Sequence, residues 1–354
     1  MEIRGSSTQT LTLARCLPTA GFSPSVVCTR NDLRRGPSRC GVTSTDGLPI
    51  TVIPYLAKPF VRYVARFLLT HDLQKSPPDL IHIERRTELW LGQYLARILN
   101  RPCVLTIHDY LAPGETPQFD FRVLQQIIAI SDSVRDELLK QSTVPPDRVT
   151  VISGGIAEPA RPPLAILAPD RVPVIGTAGP LEAAKGLHFF VEAMPLVLAE
   201  FPQAQFVIAG AGPEETVLRQ QCRDLNVATQ VTFCPNLVDL QETLQALDIF
   251  VLPSPKQGLG LIMMEAMARA KAVVATSAGG IYSVVDDDRN GLLVAPSDPA
   301  GMAHRILELL RNPLHARELA RAGRESVLQK FPADRMVSQT AELYRKVLAE
   351  RGLP

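Results

Sequence analysis

VIGTAGPLEAAKG, residues 174–186, runs from a short apolar stretch into a turn of small residues and reaches Lys185 just where a helical pattern begins. Glycine lets backbone N–H groups come close to a ligand, a helix N-terminus carries partial positive charge, and lysine adds a full charge. The stretch therefore reads as an anion clamp, although an ordinary strand-to-helix turn with a solvated lysine uses the same letters. A second such stretch, SPKQGLGLIMMEAMA at 254–268, sets Gly258 and Gly260 before an apolar helix whose single carboxylate is Glu265. Burying that carboxylate is costly unless it accepts hydrogen bonds, which the vicinal hydroxyls of a ribose would donate. The plain alternative is a glutamate that reaches solvent or a neighbouring loop. ATSAGGIYS at 275–283 ends a strand on Gly279 and Gly280, and GAGP at 210–213 is a fourth, weaker turn. In an open parallel sheet, ligands bind beyond the carboxyl ends of the strands. Several glycine-rich strand ends, expected on one edge, weigh more than any one of them.

Outward from these turns, short apolar runs alternate with amphipathic ones. Strands are expected at 25–29, 50–54, 80–83, 103–107, 127–130 and 149–152, then at 172–177, 205–209, 231–233, 249–252, 272–276 and 291–294. Helical periodicity occupies 89–99, 133–141, 187–200, 214–225 and 261–270. Strands alternating with helices of this length make βαβ units and parallel sheets. The fold class is therefore α/β, with two doubly wound, Rossmann-like domains. Residues 157–171, AEPARPPLAILAPDR, are rich in Pro and Ala and lack periodicity, so they read as a semi-rigid linker. The expected division is 1–160, 161–332 and a last helical segment, 333–354, that packs back on the N-terminal domain.

The 354 residues suit two domains of ordinary size, and a net charge of +1 supplies no global field for nucleic acid. Six cysteines at 16, 28, 40, 103, 222 and 234 form no CxxC pair and no zinc spacing, so reduced, buried thiols are expected. No apolar run approaches the ~20 residues of a membrane span. The N-terminus lacks the apolar core of a secretory signal. These features point to a cytoplasmic protein.

The segments GPLEAAKG, IAGAGPEE, DIFVLPS, QGLGLIMMEAMA, AVVATSAGG and NGLLVAPSDP, in this order and spacing, resemble the C-terminal domain of family 4 retaining glycosyltransferases. Further upstream, DLIHIE at 79–84, TIHDY at 106–110 and AISDSVRDEL at 129–138 are consistent with the same family. The resemblance, which extends to glycogen synthase-like enzymes, implies the GT-B fold, two facing domains with a C-terminal helix crossing back. It also implies sugar transfer with retention of configuration and without a metal. The donor would be a nucleoside-diphosphate sugar rather than a tightly bound cofactor. The acceptor would be a glycan, a lipid-linked sugar or a small metabolite. By the same resemblance Gly179 and Lys185 contact the diphosphate, and the backbone of Gly258, Leu259, Gly260 and Leu261 holds phosphate. Glu265 takes the ribose, Gln257 faces the transferred sugar, and His108 lies near the reacting centre.

Four positions depart from the family pattern. Gln257 stands where the family has a Glu eight residues before Glu265, Pro180 replaces an Arg of the glycine turn, and Ser283 replaces a Glu after the glycine pair. The fourth departure is at the start. Residues 1–9 resemble the family's first turn and 10–18 its first helix, so the first strand is expected to be missing, most simply through a mis-assigned start codon. A degenerate binder of nucleotide sugar or glycan is thus a competing reading. A nucleotide-sugar epimerase or a phosphorylase of the same fold stands further off. Asp286–Asp288 reads as a solvated turn rather than a metal site. His82, Glu84 and His108 read as core or cleft residues, without metal spacing. KPFVRYVARFLL at 58–69 spaces Lys58, Arg62 and Arg66 four apart. It reads as an amphipathic helix with a solvated basic face or as a peripheral contact with the inner face of the membrane.

Overall fold

The computed structural model describes residues 5–28, 41–45, 47–53, 56, 61–112, 114–235 and 240–353, and Lys58 and Cys40 lie outside them. The chain forms two compact units, Gln9–Gly155 with Ala333–Pro354, and Ile156–Pro332 with Glu2–Thr8.

The first unit opens within α1 (Gly5–Cys16), followed by β1 (Val26–Cys28), β2 (Gly41–Thr45), β3 (Leu48–Val52) and α2 (Arg62–Lys75). It continues through β4 (Ile81–Ile83), α3 (Leu89–Leu99), β5 (Cys103–Ile107), β6 (Leu124–Ala129), α4 (Asp132–Gln141) and β7 (Val149–Val151). The strands make two sheets rather than one, β1-β3-β2 and the all-parallel β4-β5-β6-β7. Helix α1 serves both sheets. Leu11 and Ala14 pack with Leu48, Ile50 and Val52, while Leu13, with Leu17 just past the helix end, packs with Val104, Ile128 and Ile152. Among the described residues no strand pairs with the outer edge of β1 or of β4. Strand β3 answers the run expected at 50–54, but its antiparallel partner β2 was not among the expected strands. Its signal is the Asp46-Gly47 dipeptide, with Gly47 at φ +82°, a turn favoured between hairpin strands.

The second unit runs β8 (Val174–Ala178), α5 (Leu187–Glu200), β9 (Gln205–Ala209), α6 (Glu215–Asp224), β10 (Val231–Cys234), α7 (Leu240–Ala246) and β11 (Ile249–Leu252). It ends with α8 (Leu261–Ala268), β12 (Ala272–Thr276), β13 (Leu292–Val294), α9 (Pro299–Arg311) and α10 (Pro313–Lys330). All six strands are parallel, in the order β10-β9-β8-β11-β12-β13. The chain moves outward from β8 to β10, then returns to β11 and moves outward the other way. The topological switch point is therefore between β8 and β11. One apolar core joins Ile175, Phe206, Ile249 and Val274 of the sheet to Phe190, Met194 and Ile306 of the helices.

Part of the linker belongs to this core. The buried Asp248 carboxylate accepts from the Leu167 amide at 2.9 Å and the Val174 amide at 2.8 Å. The Arg317 guanidinium donates to the Ile166 and Leu167 carbonyls. A Pro- and Ala-rich composition hid this anchoring, because its partners are more than 70 residues away in the chain. The last helix, α11 (Ala333–Glu350), completes the first unit's core through Met336, Val337, Ala341, Tyr344 and Val347. No helix among the described residues is long and apolar enough to cross a membrane. Of the described cysteines, Cys103 and Cys222 are buried, and burial pushes their thiols up to about 12 and about 11. Cys16, Cys28 and Cys234 are only partly buried, which corrects the expectation of uniformly buried thiols.

Candidate active site

Because the second unit's strands are parallel, the turns after β8, β9, β11 and β12 all lie on one edge of its sheet, and each of them touches another. Gly186 has φ +62°, and a Cβ there would lie 2.5 Å from the Pro253 carbonyl, so the loop after β8 meets the loop after β11 at backbone distance. Ser254 Oγ donates to the Lys185 carbonyl at 3.4 Å, and the Gly280 amide donates to the Gln257 carbonyl at 3.0 Å. Gly179 and Gly210 approach closely enough that a Cβ on Gly210 would fall on the Gly179 carbonyl. Lys185, half-buried, closes the last turn before α5.

Helices α5 and α8 begin at this edge on Gly186 and Gly260, neither of which has a side chain to cap the first-turn amides. Three other helices carry such a cap, Ser131 accepting from the Val134 amide, Asp298 from Gly301 and Asn312 from His315, whereas α2, α3 and α6 start without one. The Leu259 and Leu261 side chains are buried, so these positions offer only backbone to a ligand. Glu265 is buried in α8, and its Oε2 lies 2.6 Å from Arg269 Nη1. This carboxylate is thus partly neutralised within its own helix, which the sequence reading did not foresee. The signal was the i, i+4 spacing to Arg269. Gln257 Oε1 is buried with no hydrogen-bond partner among the described residues.

In the first unit β4 and β5 run side by side with His82 opposite Val104, which brings the residues beyond their carboxyl ends together. His108 Nε2 lies 3.1 Å from Glu84 Oε2, and His82 Nδ1 lies 3.5 Å from Glu84 Oε1. His82 also reaches Thr106 Oγ1 at 2.7 Å and the hydroxyl of Tyr344, delivered by α11, at 2.5 Å. Burial by itself would raise the Glu84 carboxyl, but the adjacent His82 and the hydrogen bonds from His108 and Thr10 outweigh it and hold it at about 2. Burial pushes His82 down and Tyr344 well above its ordinary value. The sequence marked His82, Glu84 and His108 as core or cleft residues, without the contacts among them. Tyr344, 262 residues from His82, carried no local signal.

The two halves match two models of one family. Residues 172–312 match glycosyl transferases group 1, and residues 3–158 match glycosyltransferase family 4. The chain belongs to the family 4, group 1 glycosyltransferases. It is 32% identical to alpha-maltose-1-phosphate synthase of Mycolicibacterium smegmatis over 63% of this chain and 63% of that protein. Against glycogen synthase of Mycobacterium tuberculosis it is 29% identical over 78% of this chain and 70% of the relative. Two solved structures share the fold. Sucrose-phosphate synthase from Thermosynechococcus elongatus has a TM-score of 0.79 at 23% identity, covering 97% of this chain and 93% of its own. Anabaena HepE in complex with UDP and glucose has a TM-score of 0.77 at 20% identity, covering 96% of each. The fold is thus GT-B.

Within this family the departures acquire structural settings. Ser283, in place of the family's glutamate, turns its hydroxyl back to the Gly280 carbonyl at 2.6 Å. Asp286, Asp287 and Asp288 are engaged by Lys330, Arg305 and His315. Asp288, Glu308 and His315 bring ligand atoms within 4.8 Å of one another, but Glu308 is also held by Arg305 at 3.0 Å. On α2 the side chain of Arg62, like Lys58, lies outside the described residues, and the exposed side chains around Arg66 are apolar. Tyr63, Val64, Phe67 and Leu68 are each more than half exposed, whereas Arg66 is partly buried with its guanidinium 4.2 Å from the Tyr94 ring centroid.

Proposed function

We propose that this glycosyltransferase moves a sugar from a nucleoside-diphosphate sugar to an acceptor hydroxyl, with retention of configuration and without a metal. The observation that carries the reading is the meeting of the β8 and β11 loops at the switch point, each leading into a helix that starts on glycine. In the reaction the bond between the anomeric carbon and the diphosphate oxygen breaks, its electrons leave with the diphosphate, and the acceptor oxygen bonds to that carbon as its proton passes to the departing diphosphate oxygen. Lys185, Gly179, the Gly258–Leu261 backbone and the first amides of α5 and α8 stabilise the departing charge, a device of the oxyanion-hole type. A helix start contributes about 0.3–1 kcal/mol, up to ~2 kcal/mol where partly buried. Glu265 accepts from the ribose with the carboxylate oxygen that Arg269 leaves, Gln257 accepts from the transferred sugar, and His108 contributes from the first unit.

The nucleoside diphosphate and glucose bound by HepE support this donor class, and the glycogen synthase and maltose-1-phosphate synthase relatives support a glycan or a small metabolite as acceptor. A lipid-linked sugar acceptor fits a peripheral contact of residues 58–69 with the inner face of the membrane, supported by the exposed Tyr63, Val64, Phe67 and Leu68. The second reading is a binder without turnover, favoured by the neutral Gln257 and by Pro180, which cannot supply the family's cation. Incubation with uridine, guanosine and adenosine diphosphate sugars separates the two. Release of diphosphate with formation of an α-linked product supports transfer, and binding without release selects the second reading.

A further inference from the structure

His108 is held by one nitrogen only. Its Nε2 lies 3.1 Å from Glu84 Oε2, while its Nδ1 is buried with no hydrogen-bond partner among the described residues. An ionised carboxylate can only accept, so the Nε2 of His108 carries the proton of this contact and a neutral ring presents a bare lone pair at Nδ1. Glu84 is itself fixed from several sides, by His82 at 3.5 Å and by a hydrogen bond from Thr10, and His82 in turn by Thr106 and Tyr344. The geometry points to Glu84 as a positioning residue that locks His108 in the Nε2–H tautomer, so that Nδ1 accepts a hydrogen bond from a substrate hydroxyl. A buried acceptor left unmet costs stability unless a ligand meets it, and a hydroxyl meets a lone pair where a phosphate oxygen cannot. This inference rests on the sugar-transfer reading for its substrate, but not for the tautomer.

The test uses the whole protein, labelled with nitrogen-15 at histidine. Only six imidazoles contribute signals, and a His108→Gln variant assigns the one that matters. The wild type is expected to show His108 as Nε2–H, Glu84→Gln to keep that tautomer through its amide oxygen, and Glu84→Ala to mix the two tautomers. In parallel, Glu84→Ala should lower kcat by about 10- to 100-fold, as loss of a partner that orients a histidine does elsewhere, with the donor KM little changed and Glu84→Gln restoring most of the rate. If the hydroxyl belongs to the donor sugar, hydrolysis of the nucleotide sugar falls together with transfer; if it belongs to the acceptor, only transfer falls. An Nδ1–H tautomer in the wild type overturns the proposal, and this readout needs no variant to fold. An unchanged tautomer in Glu84→Ala overturns it too, as does a shifted tautomer with an unchanged kcat. A wild type that transfers no sugar sinks the reading of function instead, and the tautomers alone then decide the role of Glu84.

Discussion

The second unit builds its candidate site from backbone, the first from side chains. At the β8–β11 switch point the essential features are glycines whose neighbours come too close for a Cβ, and two helices that begin on them. Such features are written in consecutive letters. In the first unit, four elements contribute one or two side chains each: His82 and Glu84 from β4 and its end, Thr106 and His108 from β5 and its end, Thr10 from α1 and Tyr344 from α11. No window of sequence contains that arrangement. A site made of turns is legible in one pass along the chain, whereas one made of packed side chains is legible only after folding.

Substitutions in the two units should therefore fail differently, and the largest effect belongs to the backbone site. Gly210→Ala would drive a Cβ into the Gly179 carbonyl at a φ of +146°, and should destabilise the protein by ~4 kcal/mol or more. Denaturant unfolding checks this; an alanine tolerated with little change in midpoint would mean that the turns are not as tightly constrained as described. Lys185→Ala should leave folding nearly intact but weaken nucleoside diphosphate binding by about 2–5 kcal/mol, seen as loss of ligand-dependent stabilisation. Normal binding by that variant would remove the clamp from the account.

The first unit should respond to pH instead. Its Glu84 carboxyl is held at about 2 against an ordinary 4.5, so the folded state binds that proton less readily than the unfolded chain. The resulting stabilisation is complete above about 4.5 and is lost as the pH falls toward 2. Glu84→Gln should therefore cost ~1.5–3 kcal/mol at neutral pH, with the gap to wild type narrowing across that window. A gap that stays constant would detach the network from the charge of Glu84. Tyr344→Phe is the smallest change, expected to cost ~1 kcal/mol through the lost bond to His82. A loss no larger than that of an exposed substitution would show that the hydroxyl adds nothing to the packing of the ring.

What the sequence concealed follows the same division. The α/β alternation, the four glycine turns and their common edge were legible because strand period, helix period and turn chemistry are local. The split of the first unit's strands into two sheets was not. Asp248 binding the linker, Arg269 on Glu265 and the exposed apolar side chains around Arg66 of α2 were also missed. Each depends on which side of an element meets the core, and composition does not settle that. The mixed pattern of α2 illustrates the point: Arg66 spends its charge against Tyr94 and leaves Phe67 and Leu68 outside.

The central claim is that the switch point of the second unit binds a nucleoside diphosphate. Thermal unfolding against a panel of nucleoside diphosphates and their sugars tests it most directly. A ligand present at about a hundred times its Kd stabilises by ~2.7 kcal/mol, a shift that is readily measured. The account predicts a selective rise in Tm with one base, present in the wild type and absent in Lys185→Ala. No rise with any diphosphate or sugar nucleotide would contradict it.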